Sequence, residues 1–223
     1  MADRALADSA VEAAVIDLVV PVKHLDRAKS RLRGAVPGGP GAHRELVLAL
    51  LVDTLTAATA APGVRRVLVV CEDDRVVDAV RATGAECVDE RGLPGLNAAL
   101  RFGAARLRAD DADVTLGALQ ADLPALRSAD LAAAVAEADG RRAVVPDHDG
   151  TGTTLLIAAP GAPLHPRFGP GSALAHGRDA VRVGESCATL RCDVDTAGDL
   201  AMARTLGIGE RTAQVIRDVR DVS

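Results

Sequence analysis

Apolar and polar positions along the 223-residue chain alternate between two periods. Short apolar runs read as strands, and between them lie longer segments with a helical repeat. Val15–Val20 is a continuous apolar run broken only by Asp17, as expected for a central strand covered on both faces. Gly34–Gly41, with four Gly and two Pro, predicts a loop. Ala42–Ala60 follows as a helix with Leu46, Leu50, Val52, Leu55 and Thr59 on one face. Strands are predicted at Val67–Cys71, Gly84–Val88, Val114–Leu119, Ala143–Pro146 and Thr153–Ala159, with a late edge strand at Ala180–Val183. Helices are predicted at Asp73–Thr83, Leu96–Ala109, Ser128–Ala138 and Thr196–Leu206, with Ser128 and Thr196 as N-caps.

This alternation predicts a single α/β domain of Rossmann-like type. Its sheet is mostly parallel with helices on both faces, and a mixed β-rich part follows about residue 140. The expected organisation is a loosely attached arm over 1–14, one domain over 15–206 and a tail over 207–223.

Composition narrows the function. With no Trp or Tyr and two Phe, the core must be aliphatic, and stacking on single-stranded nucleic acid is disfavoured. A net charge of −5 offers no general attraction to a nucleic-acid backbone. The basic residues of Lys23–Arg33 are clustered, which suits a small anion. The four cysteines form no CxxC pair and read as buried thiols. Residues 2–14 lack an apolar core of signal-peptide type, and no apolar run approaches a membrane span, so a cytoplasmic protein is expected.

In a sheet of this kind ligands bind beyond the carboxyl ends of the strands, so the residues there matter most. After the first strand come Lys23, Lys29 and Arg31, able to neutralise a polyphosphate and a pyrophosphate leaving group; otherwise they are a solvated basic loop. After the Val114–Leu119 run comes Asp122, a carboxylate suited to Mg²⁺ or a simple turn residue. Asp193 and Asp195 share one face of an extended segment and read jointly as further Mg²⁺ ligands; Asp195 could instead cap the following helix. Gly92 and Gly95 permit close backbone approach, and Asn97 carries an amide able to read a base edge. Asp149–Thr154 and Arg167–Leu174 are rich in Gly, Ser and Thr and suggest a second anion pocket. The five histidines show no metal spacing and read as surface residues.

Taken in order, Pro21-Val22-Lys23 with Ala28-Lys29-Ser30-Arg31-Leu32, Gly95-Leu96-Asn97-Ala98-Ala99-Leu100, Ala121-Asp122-Leu123-Pro124, Gly150-Thr151-Gly152-Thr153-Thr154, Phe168-Gly169-Pro170-Gly171-Ser172 and Asp193-Val194-Asp195-Thr196 resemble the guanylyltransferases of coenzyme F-420 biosynthesis, over about residues 15–206. These are the phosphoenolpyruvate and 2-phospho-L-lactate guanylyltransferases. The resemblance implies a nucleotidyltransferase fold similar to that of the molybdenum-cofactor guanylyltransferases. It implies GTP and phosphoenolpyruvate as small-molecule partners and Mg²⁺ as cofactor. It places Thr154, Gly169 and Ser172 at the phosphoenolpyruvate, Asp122 and the Asp193/Asp195 pair at the metal, and Lys23, Lys29 and Arg31 at the GTP phosphates. An acceptor of 2-phospho-L-lactate or 3-phosphoglycerate stays open, as does a catalytically inactive GTP-binding regulator. No nucleic-acid or membrane partner is expected, and a homodimer is neither required nor excluded.

Overall fold

In a computed structural model, residues 15–22, 29–32, 34–89 and 92–221 are described. The arm over 1–14, and Lys23 with it, lie outside them. Seven strands of the described residues form one sheet. In chain order they are β1 (Ile16–Pro21), β2 (Val64–Cys71), β3 (Glu86–Asp89), β4 (Thr115–Leu119), β5 (Ala143–Pro146), β6 (Thr153–Ile157) and β7 (Val181–Arg182). The helices are α1 (Gly39–Thr59), α2 (Asp74–Ala82), α3 (Leu96–Asp110), α4 (Ser128–Ala138), α5 (Ser172–His176), α6 (Ala197–Leu206) and α7 (Glu210–Asp221). No helix of the described residues is long and apolar enough to cross a membrane.

The strand order is β3-β2-β1-β4-β6-β5-β7. β1 pairs in parallel with both β2 and β4, while β6 runs antiparallel to β4 and β5. The chain therefore leaves β1 toward β2 on one side and returns to pair on the other as β4. The gap beyond the carboxyl ends of β1 and β4 is the switch point of the sheet, where open α/β sheets bind ligands.

β1 is buried on both faces, as its apolar run predicts. Leu18 and Val20 join the core under α1, α2 and α4, while Val19 packs on the opposite side with Ala99, Leu100 and Leu107 of α3. The one charge in the strand, Asp17, is fully buried at its amino end. It accepts bonds from Arg65 Nε at 2.9 Å and Nη2 at 2.8 Å, so its charge is compensated locally. The amino edge of the sheet thus spends its charges on structure.

Three expectations need correction. First, α1 starts at Gly39, inside the expected loop, because Pro40 lacks an N–H and suits a first helical turn. Second, Ser128 does not cap α4. Arg127 occupies the cap position, and the Ser128 hydroxyl donates to the Ala57 carbonyl at 2.7 Å, tying α4 to α1. Third, the segment expected as a tail carries α7 over Glu210–Asp221. α7 packs on α1 and buries Val215 and Ile216 beside Leu46 and Leu50. Asp53 of α1 accepts from the N–H groups of Arg211 and Thr212 at 3.1 and 2.7 Å, satisfying the first turn of α7. The packed unit therefore extends past the boundary expected at 206.

Candidate active site

The sequence after β4 turns at once through Gln120–Pro124 and places Asp122 at the carboxyl edge. Asp122 is 7% exposed. Its backbone carbonyl accepts from the Val194 N–H at 3.0 Å, which lays the late segment Asp193–Asp195 beside it. Thr196 caps α6 by a capping box with Asp199. The cap thus belongs to Thr196, and Asp195 turns toward the first-strand loop.

That loop supplies Lys29. Its ammonium contacts the Asp122 carboxylate and donates to Asp195 Oδ1 at 2.5 Å, and Arg31 lies 3.6 Å from the other Asp195 oxygen. Three chain-distant segments therefore meet across the switch point through charge. Lys29 has φ of +52°, a left-handed backbone costing a non-glycine residue about 1–3 kcal/mol. The two carboxylates offset that strain by holding its ammonium.

Two features of this cluster bear on a cation. Asp122 Oδ1 is buried and has no hydrogen-bond partner among the described residues, although a buried carboxylate oxygen normally finds one. Asp193 is pushed up to about 6, chiefly by burial and further by Asp147 and Asp195, against the pull of Lys29. The edge thus carries more negative charge than Lys29 and Arg31 neutralise. Among the described residues no three His, Cys, Asp or Glu side chains form a metal cage by themselves. One or two carboxylates with substrate phosphates completing the shell is the pattern Mg²⁺ favours, and the unpartnered Asp122 oxygen fits it.

Beside the cluster, β6 begins. Because β6 is antiparallel to β4, its first residues lie at the carboxyl end of β4: the Gln120 N–H donates to the Thr154 carbonyl at 2.9 Å. Thr154 is fully buried, and its hydroxyl donates to the Val145 carbonyl at 3.4 Å. The turn before β6 is held by Asp147, which accepts from the N–H groups of Thr151 and Gly152 at 2.9 and 2.7 Å. A Cβ on Gly152 would meet Asp147 Oδ2 at 2.3 Å, so this turn requires glycine. Arg191 donates to the Pro146 and Asp147 carbonyls at 3.2 and 2.9 Å and ties the turn to the Asp193 segment.

Gly169 and Ser172 reach the same side from a loop that enters α5. The Ala173 N–H donates to the Thr151 carbonyl at 3.1 Å, docking this loop on the β6 turn. Gly169 has φ of +140° and open space where a Cβ would stand, so its backbone is accessible to a ligand. Ser172 is buried.

Asn97 and the glycines before it open α3. The Gly92 N–H donates to Glu72 Oε1 at 2.6 Å, and Gly95 stands at the N-cap of α3. The Asn97 amide has partners in the protein itself. It donates to the Phe168 carbonyl at 2.9 Å and accepts from the Phe168 N–H at 2.8 Å.

Sequence reasoning missed His176, read as a surface residue, yet it is fully buried beneath this pocket. Its Nε2 accepts from the Arg167 N–H at 2.8 Å, which leaves Nδ1 to donate to the Thr153 hydroxyl at 3.0 Å. Phe168 meets its ring edge-on at 5.0 Å. Neither bond shows in a sequence without metal spacing. Burial, with Arg142 and Arg167 nearby, holds the imidazole down at about 4. Between about pH 6.5 and 4 the unfolded chain binds a proton that the native fold refuses, so this contribution is complete above about 6.5 and is lost as pH falls. Thermal melts from pH 7.5 to 4.5 should show wild-type stability falling steeply below pH 6. His176→Gln should show a shallower fall, and equal slopes would contradict the neutral assignment.

The four cysteines are free thiols; Cys71, Cys187 and Cys192 are buried and Cys87 is half-buried.

An open sheet with an acid-lined edge at its switch point, a basic loop after the first strand and a second small-residue pocket alongside is the arrangement of a nucleotidyltransferase. The fold agrees: a solved nucleotidyl transferase from Methanothermobacter thermautotroptrophicus superimposes with a TM-score of 0.60 at 20% identity, over 86% of this chain and 97% of that one. Residues 16–222 match the model of the family described as guanylyl transferase CofC like, and the chain belongs to that family. It is 50% identical over 200 residues to a phosphoenolpyruvate guanylyltransferase of Salinispora arenicola, covering 88% of this chain and 91% of that protein. It is 45% identical over 209 residues to one of Nocardia farcinica, with 92% of each covered.

Proposed function

We propose that this protein transfers GMP from GTP to phosphoenolpyruvate, giving enolpyruvyl-diphospho-guanosine and pyrophosphate as a step toward coenzyme F-420. The observation that carries this reading is the Lys29–Asp122–Asp195 cluster at the switch point, with its unpartnered Asp122 oxygen. The name and coverage of the curated relatives support the choice of acceptor.

In this reading GTP lies along the carboxyl edge. Its guanine is near Gly92 and Gly95, and its phosphates are assigned to Lys29, Arg31 and Lys23. Asp122, with Asp193 or Asp195, would hold Mg²⁺. That ion would supply charge neutralisation on the nucleotide phosphates. Thr154, Gly169 and Ser172 would hold the acid. A phosphate oxygen of phosphoenolpyruvate forms a new bond to the α-phosphorus. The bond from that phosphorus to the α–β bridging oxygen breaks, and pyrophosphate leaves with the electron pair. The attacking oxygen is already anionic, so no general base is needed. Lys29 and Arg31 stabilise charge on the departing pyrophosphate, and the rest of the rate comes from holding the two anions in line. Lys29 in this scheme exchanges its carboxylate partners for phosphates when GTP arrives.

The test is pyrophosphate release. It should require GTP and phosphoenolpyruvate together, and ATP in place of GTP should support little. Release from GTP that is indifferent to any phosphorylated acid would reject the transfer.

A further inference from the structure

Asn97 opens α3, and Phe168 lies 71 residues later in the loop that leads to α5. The two bonds between them run in opposite senses, from Nδ2 to the Phe168 carbonyl and from the Phe168 N–H to Oδ1. The amide therefore pairs with this backbone as a neighbouring strand would, and only one orientation of its oxygen and nitrogen satisfies both bonds. The preceding N–H, that of Arg167, is taken by His176 Nε2. Both backbone donors of residues 167 and 168 are thus held by side chains from other segments. The Phe168 ring is anchored too, buried beside Leu100 and Leu107 and edge-on to His176. The next residue is Gly169, at φ of +140° with open space where a Cβ would stand, so no side chain of its own fixes its backbone.

We propose that Asn97 is a positioning residue for the acceptor acid: it pins the Phe168 backbone so that Gly169 and Ser172 meet the acid's phosphate. This rests on the reading of Thr154, Gly169 and Ser172 as the acid pocket. It also gives the amide a role other than recognising a base, since one donor and one acceptor of Asn97 are already committed to Phe168. Because Asn97 follows the Gly92–Gly95 loop directly, one short segment touches both substrate sites.

Initial rates of purified Asn97→Ala, with GTP and phosphoenolpyruvate varied in turn, test the proposal. The KM for phosphoenolpyruvate should rise about tenfold or more, as is typical when a supporting hydrogen bond to a ligand-holding group is removed. The KM for GTP should stay within about twofold and the preference for GTP over ATP should be unchanged. Asn97→Asp keeps the bond to the Phe168 N–H but sets an oxygen against the Phe168 carbonyl. It should raise the acid KM while sparing GTP, and it serves if the alanine variant folds poorly. A rise in the GTP KM alone, a relaxed base preference, an equal rise in both KM values or no change would each overturn the proposal. Ser172→Ala separates the layers. If its acid KM is unchanged, the pocket reading fails and this inference with it. If its acid KM rises while that of Asn97→Ala does not, the inference alone fails.

Discussion

Asp122→Ala should lower GMP transfer by about a thousandfold or more while leaving the protein folded. The expected loss corresponds to about 4 kcal/mol of transition-state stabilisation, the scale of a lost charge-holding group in a phosphoryl-transfer site. The fold should survive because the Asp122 side chain contributes little to it. Among the described residues one carboxylate oxygen has no partner and the other meets only Lys29. What binds the segment together is the Asp122 carbonyl, which accepts from Val194 and is untouched by the substitution. Asp122→Asn should be nearly as inactive despite its matching shape, since the charge is what the site needs. Circular dichroism, thermal melts and transfer rates on the same preparations check this. Near-normal turnover in either variant would remove Asp122 from the metal site.

Lys29→Ala should act on both stability and rate. In the free protein the Lys29 ammonium joins Asp122 to Asp195, and its loss leaves a buried carboxylate without its counter-charge. The cost near neutral pH should be about 1–3 kcal/mol, the scale of an uncompensated buried polar group. Lys29→Ala combined with Asp122→Ala should be less destabilised than the sum of the two singles, because the second change removes the charge the first left stranded. Turnover should fall about a hundredfold or more, since the same ammonium is assigned to the leaving pyrophosphate. Denaturant melts at pH 7, set beside rates, measure the two effects separately. Unchanged stability with lost activity would mean that Lys29 does not bridge the carboxylates in solution.

The sheet was legible because its central strands are apolar on both faces, a pattern that Asp17 alone breaks in β1 and that residues 116–119 carry in β4. Thr196 as the α6 cap was legible for a similar reason, since the capping box lies within four residues. Contacts that depend on distant partners were not legible. Ser128 resembles a cap, but the carbonyl it meets belongs to α1. α7 is mostly polar, and the Val215 and Ile216 pair that docks it gives too short an apolar signal to extend the domain. At the site, local sequence exposed Asp122 and Lys29 as charged residues after strands but could not pair them, because their contact spans the sheet order. His176 and the Asn97–Phe168 pairing were hidden for the same reason. Each links β6, α3 or α5 to a loop far along the chain. The spacing of Asp193 and Asp195 suggests one shared face, but it does not show the backbone bond from Val194 to Asp122 that lays their segment at the edge.

The charge pattern of the fold has a simple division. At the amino edge of the sheet Asp17 and Arg65 satisfy each other, and Arg66 is matched by Glu86 and Asp110. At the carboxyl edge Asp122 has an oxygen unpartnered among the described residues, Asp193 is raised chiefly by burial and further by its acidic neighbours, and the bridging lysine sits on a strained backbone. At the carboxyl edge, strain and incomplete pairing fall on the residues assigned to ligands.

The most direct test is mass spectrometry of the products formed from GTP, Mg²⁺ and an equimolar mixture of phosphoenolpyruvate, 2-phospho-L-lactate and 3-phosphoglycerate. The account predicts one dominant new species, phosphoenolpyruvate joined to GMP through a diphosphate, with one pyrophosphate released per molecule formed. Nucleotide products limited to intact GTP, or a dominant adduct of one of the other two acids, would contradict it.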